Sequence, residues 1–299
     1  TPKARQTLLF SATYPEQIQA IAKRVMVKPI MTKVESTHDS TTIEQHFYKV
    51  EDDQQRLRAV RLLLLKHRPE STVVFCNTKR EAQDIATDLR SHGFSVLALH
   101  GDLDQRDRDQ TLVQFSNKSA SVLVATDVAA RGLDIDSLDA VINYHIARDA
   151  EMHVHRIGRT GRAGSSGKAH SFISDKEGYK VALLQDYLGH IIEGEALPQA
   201  SLLNEPPIKP EMETLLIDGG KKQKVRPGDI LGALTGEYGI EGTQVGKIDI
   251  FDIRAYVAVH RDAVKTALKK LSEGKLKGRS FRVRVLRGHP EASQKRSYN

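Results

Sequence analysis

The chain is poor in cysteine and in aromatic residues, has no tryptophan, and lacks any long apolar run. One cysteine, Cys76, in 299 residues excludes a disulfide framework and any zinc site built on cysteines. It lies in Val73-Val74-Phe75-Cys76-Asn77, which reads as a buried strand, so Cys76 is expected to be a core residue and not a reactive thiol. No stretch of 18 apolar residues occurs, so no membrane-spanning helix is expected. The sequence starts at Thr1 with neither a methionine nor a charged-then-apolar leader, and it reads as a piece of something longer. What is present, 39% apolar and 28% charged residues, excludes a disordered or fibrous chain and suits two to three folded domains.

The net charge of +7 is unevenly placed. Residues 206–299 hold 19 Lys/Arg against 11 Asp/Glu, a balance of +8, while residues 1–205 hold 26 against 27, a balance of −1. A near-neutral body with a basic end suits a polyanionic partner held mainly by the end piece. A solvated basic surface would give the same arithmetic, so charge alone does not decide.

Thr7–Phe10 and Pro29–Val34 read as strands flanking a helix opened by Pro15, with Ile18, Ile21, Ala22 and Val25 three and four apart. From Ile43 to about Leu197 short β-branched runs alternate with helical periods. Strands are expected at 44–50, 72–77, 96–100, 122–125, 140–144 and 168–173, and helices at 53–66, 80–92, 104–116, 150–158 and 176–188. Such alternation predicts an α/β fold, a doubly wound parallel sheet covered on both faces, whose ligands sit beyond the carboxyl ends of the strands. Pro198, Pro206, Pro207 and Pro210 mark a linker. Beyond it the order strand 214–217, helix 229–234, strands 248–251 and 256–259, helix 262–271 and strand 281–286 predicts a small α+β βαββαβ domain.

The densest motif is His155-Arg156-Ile157-Gly158-Arg159-Thr160-Gly161-Arg162-Ala163-Gly164. Arginine on a loop can lay a planar, permanently charged fork on phosphate oxygens and stabilise charge during phosphoryl transfer. Ala125–Ile135 follows a strand; Thr126 with backbone amides could hold a phosphate, and Asp134 could accept ribose hydroxyls. His100-Gly101-Asp102, with Gln105 and Arg108, sets polar groups three apart at a helix start. Each has an ordinary counterpart: a turn with solvated arginines, a turn or cap aspartate, and capping by Asp102 or Asp104.

Together these segments resemble the DEAD-box ATP-dependent RNA helicases. Ser11-Ala12-Thr13 is similar to their motif III, Val74–Thr78 to motif IV, His100–Arg108 to the Gln-x-x-Arg segment, Ala125–Ile135 to motif V and His155–Arg162 to motif VI. The resemblance implies two RecA-like domains closing on ATP, Mg2+ and RNA. Residues 1–36 would be the end of the first, 37–197 the second (helicase C-terminal) domain, 198–211 a linker, 212–288 an RRM-like domain and 289–299 a tail. It further implies that Arg159 and Arg162 reach the terminal phosphate of ATP, that Asp134 and Arg131 face the nucleotide, and that His155 meets motif III. Ser11 and Thr13 would couple hydrolysis to closure, and Thr78, Gly101, Gln105, Arg108 and Thr126 would touch the RNA backbone. The chain departs from the family in having no Gly-x-x-x-x-Gly-Lys-Ser/Thr loop and no Asp-Glu-Ala-Asp tetrad. The magnesium ligands are therefore expected in a missing N-terminal part, and the fragment alone is expected to be inactive.

The end piece has a degenerate RRM face. Thr214–Asp218 has no aromatic, and Asp252–Val259 keeps only Tyr256 as a stacking ring. Its charge lies in Lys221, Lys222, Lys224 and Arg226, and again over Lys265–Arg287, where Glu273 is the sole acid. Gly219-Gly220-Lys221-Lys222, Gly228–Gly232, Gly246-Lys247-Ile248 and Lys275–Gly278 resemble the end domain of bacterial DbpA-type helicases. That resemblance implies binding to a hairpin of large-subunit (23S-type) ribosomal RNA, a part in ribosome assembly, a cytoplasmic location and a monomer. Two alternatives stay open from the residues alone: a broad-substrate cold-shock helicase of RNA decay, or a non-catalytic RNA-binding chain.

Overall fold

The computed structural model describes residues 2, 4–10, 16–32, 43–130, 138–161 and 166–286. The chain divides into two compact units, Thr1–Ser40 and Thr41–Asn299. In the first, helix α1 (Glu16–Val25) forms as its apolar spacing predicts and buries Ala22. The strands expected at Thr7–Phe10 and Pro29–Val34 do not appear in the described part of those segments. Leu8, Phe10, Val27 and Ile30 are exposed there. A strand exists only where its N–H and C=O groups find a neighbouring strand, and the described residues of this unit supply none.

The larger unit begins with the expected alternation: β1 (Ile43–Lys49), α2 (Asp53–His67), β2 (Thr72–Cys76), α3 (Lys79–Ser91), β3 (Val96–Leu99), α4 (Gln105–Ser116), β4 (Val122–Thr126), α5 (Asp127–Ala130), β5 (Ala140–Asn143), α6 (Ala150–Ile157), β6 (Gly167–Ile173) and α7 (Gly178–Leu188). The six strands form one parallel sheet in the order β1-β6-β5-β2-β4-β3. β2 and β5 are wholly buried, which is why they read as unbroken apolar runs without alternation. Polar side chains start the helices: Asp52, Thr78, Asp104 and Asp149 each accept a hydrogen bond from a first-turn backbone N–H of α2, α3, α4 and α6. α2 stops where Arg68 takes a left-handed backbone, φ 47°.

The second sheet is antiparallel. β7 (Met212–Ile217), α8 (Pro227–Thr235), β8 (Val245–Ile250), β9 (Ala255–His260), α9 (Val264–Glu273) and β10 (Val283–Val285) follow the βαββαβ order, with sheet order β10-β7-β9-β8. Alternation fixes its faces. Leu215, Ile217, Val257 and Val259 pack under α8 and α9, while Thr214, Leu216 and Tyr256 point the other way.

That other face is not free. Val113 of α4 packs on Leu216 and Tyr256. Asn117 Nδ2 donates to Thr214 Oγ1 at 3.2 Å, Ser119 Oγ lies 2.6 Å from the same oxygen, and Lys247 Nζ donates to Ser116 Oγ at 2.9 Å. The proline-rich segment is a packed strap: Leu197, Leu202 and Leu203 join the core around α2, and Arg68 pairs with Glu205. Prolines stiffen a segment without saying whether it packs, so the sequence read it only as a linker. Among the described residues no helix is long and apolar enough to cross a membrane.

Candidate functional site

The expected RNA-contact residues gather at the carboxyl ends of three adjacent strands. β2, β4 and β3 lie side by side, with Cys76 opposite Thr126 and Leu99 opposite Ala125. Thr78 therefore stands two residues, and Gly101 one residue, beyond the level of Thr126, on a strip roughly 10 Å wide. Thr78 is held by reciprocal capping: Glu81 N donates to Thr78 Oγ1 at 3.1 Å, and Thr78 N donates to Glu81 Oε2 at 3.0 Å. Gly101 is exposed with open space where a Cβ would sit, so the backbone there can be approached closely. Arg108 Nη2 donates to Ala129 O at 2.7 Å, tying α4 to the segment after β4. Gln105 is exposed and donates through Nε2 to Asp109 Oδ1 at 2.7 Å.

The arginine segment is anchored on that same edge by a residue the sequence placed among loop arginines. Arg156, only 2% exposed, donates to both carboxylate oxygens of Asp127, at 2.7 and 2.8 Å. Its Nη1 donates to His145 O at 2.9 Å and Asn143 Oδ1 at 3.3 Å, and its guanidinium lies 5.3 Å from the Phe75 ring centroid. A planar fork is suited to this bidentate, stacked geometry, and a lysine would not reproduce it. Arg156 is thus a clamp between α6 and the segment opening at Asp127. His155, one residue earlier, is exposed, and Arg159, one turn on, is half-buried. The backbone carbonyl of Arg159 accepts from Leu138 N at 3.1 Å, and the Thr160 hydroxyl donates to Leu138 O. Gly167 leaves no room for a Cβ against Thr160, so this turn is fixed from below. Ser11, Thr13, Arg131, Asp134 and Arg162 lie outside the described residues.

A second buried ionic cluster lies beside the first. His145 Nε2 is 2.7 Å from Glu81 Oε1 and its Nδ1 is 3.5 Å from Glu177 Oε1, while Arg56 Nη2 is 2.5 Å from Glu177 Oε2. Burial opposes charge on His145, but hydrogen bonds to Glu177 and Glu81 outweigh it and raise its pKa. Burial likewise works to raise Glu177, yet hydrogen bonds from His145 and Arg56 hold it down at about 2. Glu81 both caps α3 beneath Thr78 and grips His145, whose carbonyl grips Arg156, so a chain of polar contacts joins the Thr78 end to the arginine end. Sequence reading missed Arg56, Glu81, His145 and Glu177, because partners 32 to 121 residues apart leave no local pattern. Burial pushes the Cys76 thiol up to about 12, in keeping with a packed, unreactive side chain.

In the end domain Lys221, Lys222, Lys224 and Arg226 are exposed on a tight turn. Its backbone is pinned by Lys221 N to Phe251 O, 2.9 Å, and Lys222 N to Asp252 O, 2.8 Å, so the charged tips project from a fixed base. Tyr256 does not meet the expectation of a stacking ring. It is 2% exposed, sealed under α4 and set edge-on to Phe251 with ring centroids 5.4 Å apart. Alternation along β9 puts it on the outer face, but only the docking of the two domains covers that face.

This frame agrees with known proteins. Residues 55–164 match the helicase conserved C-terminal domain family, and residues 214–285 match the DbpA RNA binding domain family. The chain is similar to S. cerevisiae Dbp5 bound to RNA and ADP BeF3, with TM-score 0.58 and 31% identity, covering 66% of this chain and 52% of that one. The chain belongs to the DEAD-box RNA helicases. Within them it is of the bacterial DbpA type: it is 50% identical to the ATP-dependent RNA helicase DbpA of Escherichia coli (strain K12) over 96% of its length, and 30% identical to that of Bacillus subtilis (strain 168) over 94%. It spans 62% and 63% of the length of those two relatives.

Proposed function

We propose that this chain is the RNA-gripping and arginine-supplying part of an ATP-dependent helicase that pries apart short RNA duplexes, and that its end domain directs it to 23S-type ribosomal RNA during large-subunit assembly. The observation that carries this reading is the Arg156–Asp127 clamp, which fixes the arginine turn to the strand end that bears Thr126. An arginine presented to a terminal phosphate and a hydroxyl presented to an RNA backbone would then move as one piece. Contacts of this kind to sugar and phosphate carry no base information, so this half would bind any RNA sequence. Choice of target falls to the end domain.

ATP, when bound, would supply the terminal phosphoryl group, which in an ATPase passes to water. Arg159 and Arg162 would face its terminal phosphate, and Arg131 and Asp134 the rest of the nucleotide, on a frame set by Arg156. Among the described residues no cluster of carboxylates or imidazoles could hold a metal ion. The phosphate loop and acidic tetrad are absent from these 299 residues and would have to be supplied by a further domain. The 299-residue chain alone should therefore show no ATPase above background, with or without RNA. Robust hydrolysis by the purified chain would overturn this division of labour. Selection of bound RNA by crosslinking and sequencing tests the ribosomal target; an even spread over cellular transcripts would favour the broad-substrate alternative.

A further inference from the structure

With one sheet face of the end domain sealed by α4, any aromatic contact to RNA must come from elsewhere on it. Its described residues hold four Phe and Tyr rings: Tyr238, Phe251, Tyr256 and Phe281. Phe251 and Tyr256 are locked in the interdomain cluster, and Phe281 packs into the core under the helices, its ring against Gly219. Tyr238 is 86% exposed. A single exposed ring is ordinary, but this one sits at φ 54°, a left-handed backbone that bulky residues seldom adopt.

The surrounding turn enforces that conformation. After α8, Gly239 N donates to Gly236 O at 2.7 Å and Ile240 N donates to Leu234 O at 2.9 Å. A Cβ on Gly239 would collide with the Leu234 carbonyl, and Lys270 Nζ donates to the carbonyl of Glu237. The ring thus projects into solvent from a turn closed on both sides, and strain of this kind persists only where neighbouring structure over-determines it. Lys265 and Lys269 are exposed on α9, the helix that also carries Lys270. The acids nearby in sequence are Glu237 and Glu241 in the turn and Glu273 at the end of α9.

We propose that Tyr238 is a stacking platform for an unpaired base of the bound RNA, with the α9 lysines supplying the positive field for its phosphates. The inference rests on the reading of this domain as RNA-binding and adds where a base is held. Loop nucleotides splay their bases onto aromatic faces, whereas paired ones do not.

The test uses the whole 299-residue chain and two synthetic RNAs, a stem with an unpaired loop and the same stem as a blunt duplex. Tyr238→Asn keeps the turn, because asparagine accepts a left-handed backbone, and removes the ring; Tyr238→Phe keeps the ring. Tyr238→Asn should weaken stem-loop binding roughly tenfold to a hundredfold with an unchanged salt slope, and leave duplex binding nearly untouched. Tyr238→Phe should bind as wild type does. Lys269→Gln should instead lower the salt slope by roughly 0.7–0.9. Thiouridine placed in the loop should crosslink to the peptide containing Tyr238, a readout that needs no variant. Wild-type affinity in Tyr238→Asn, or crosslinks confined to the sealed face, would overturn the platform alone. A wild-type chain that binds neither RNA would overturn the RNA-binding reading itself.

Discussion

The two halves of the larger unit treat charge in opposite ways. In the parallel-sheet half Arg56, Arg156 and Glu177 are buried and paired, and the pairs cross-link segments far apart in sequence. In the end domain the core under α8 and α9 is apolar throughout, and its lysines stand on the surface. A buried ion pair is weak evidence for stability, because desolvation offsets most of its attraction. Its use here is geometric: it fixes where an arginine turn and a strand end stand relative to one another. Exposed lysines such as Lys221, Lys222 and Lys224 instead release counterions from a polyanion and so give affinity that salt can tune.

The largest expected effect tests the role of the fixed arginine turn. In a chain completed with a phosphate loop, Arg159→Ala or Arg162→Ala should lower RNA-stimulated ATP turnover by ~10³–10⁵, with hairpin binding through the end domain nearly unchanged. Steady-state ATPase and binding assays read the two halves separately; a variant keeping more than about a tenth of turnover is no finger.

Removing the clamp should cost stability instead. Arg156→Ala leaves the Asp127 carboxylate without its partner, and urea unfolding of the 299-residue chain should show a loss of about 3–5 kcal/mol. A loss under about 1 kcal/mol would mean that the pair is solvated in solution and positions nothing.

Glu177 predicts an acid limb. Its folded pKa of about 2 lies below the ordinary glutamate value of 4.5, so the stability it contributes is full above 4.5 and is lost as pH falls from there towards 2. His145 has the opposite sign: its raised pKa contributes stability at low pH that fades as pH rises through the folded value. Thermal melts across pH should show Glu177→Gln less sensitive to acid than wild type between 4.5 and 2. Equal sensitivity would place the acid limb elsewhere.

The smallest effect on stability, paired with a clear effect on binding, belongs to the lysine turn. Replacing Lys221, Lys222 and Lys224 by glutamine should move unfolding by less than about 0.5 kcal/mol. The same variant should flatten the log–log salt dependence of RNA affinity by about two units, for every RNA alike. A large fall in stability, or loss confined to one RNA, would break the contrast between positioning charge and steering charge.

Much of this protein was legible in its sequence because local rules govern it. Strand–helix alternation predicted the parallel sheet to within a residue or two at most ends, since strands buried on both faces are largely apolar and α2, α3, α4 and α6 begin on capping side chains. The βαββαβ order, the basic turn at Lys221–Arg226 and the burial of Cys76 were readable for the same reason. The strands expected at Thr7–Phe10 and Pro29–Val34 are not formed in their described residues, because a strand is a property of its neighbours as much as of its own residues.

What only the tertiary structure decided depends on partners brought together from distant segments. Arg156 meets Asp127 across 29 residues and Glu177 meets Arg56 across 121, and no spacing rule reaches that far. Tyr256 looked like a stacking ring because its own strand puts it on the outer face, but α4 of another domain seals that face. Periodicity tells which side of an element a residue takes. Whether that side meets water, RNA or protein is set by the docking of one surface on another, which depends on both surfaces at once and is written in neither segment alone.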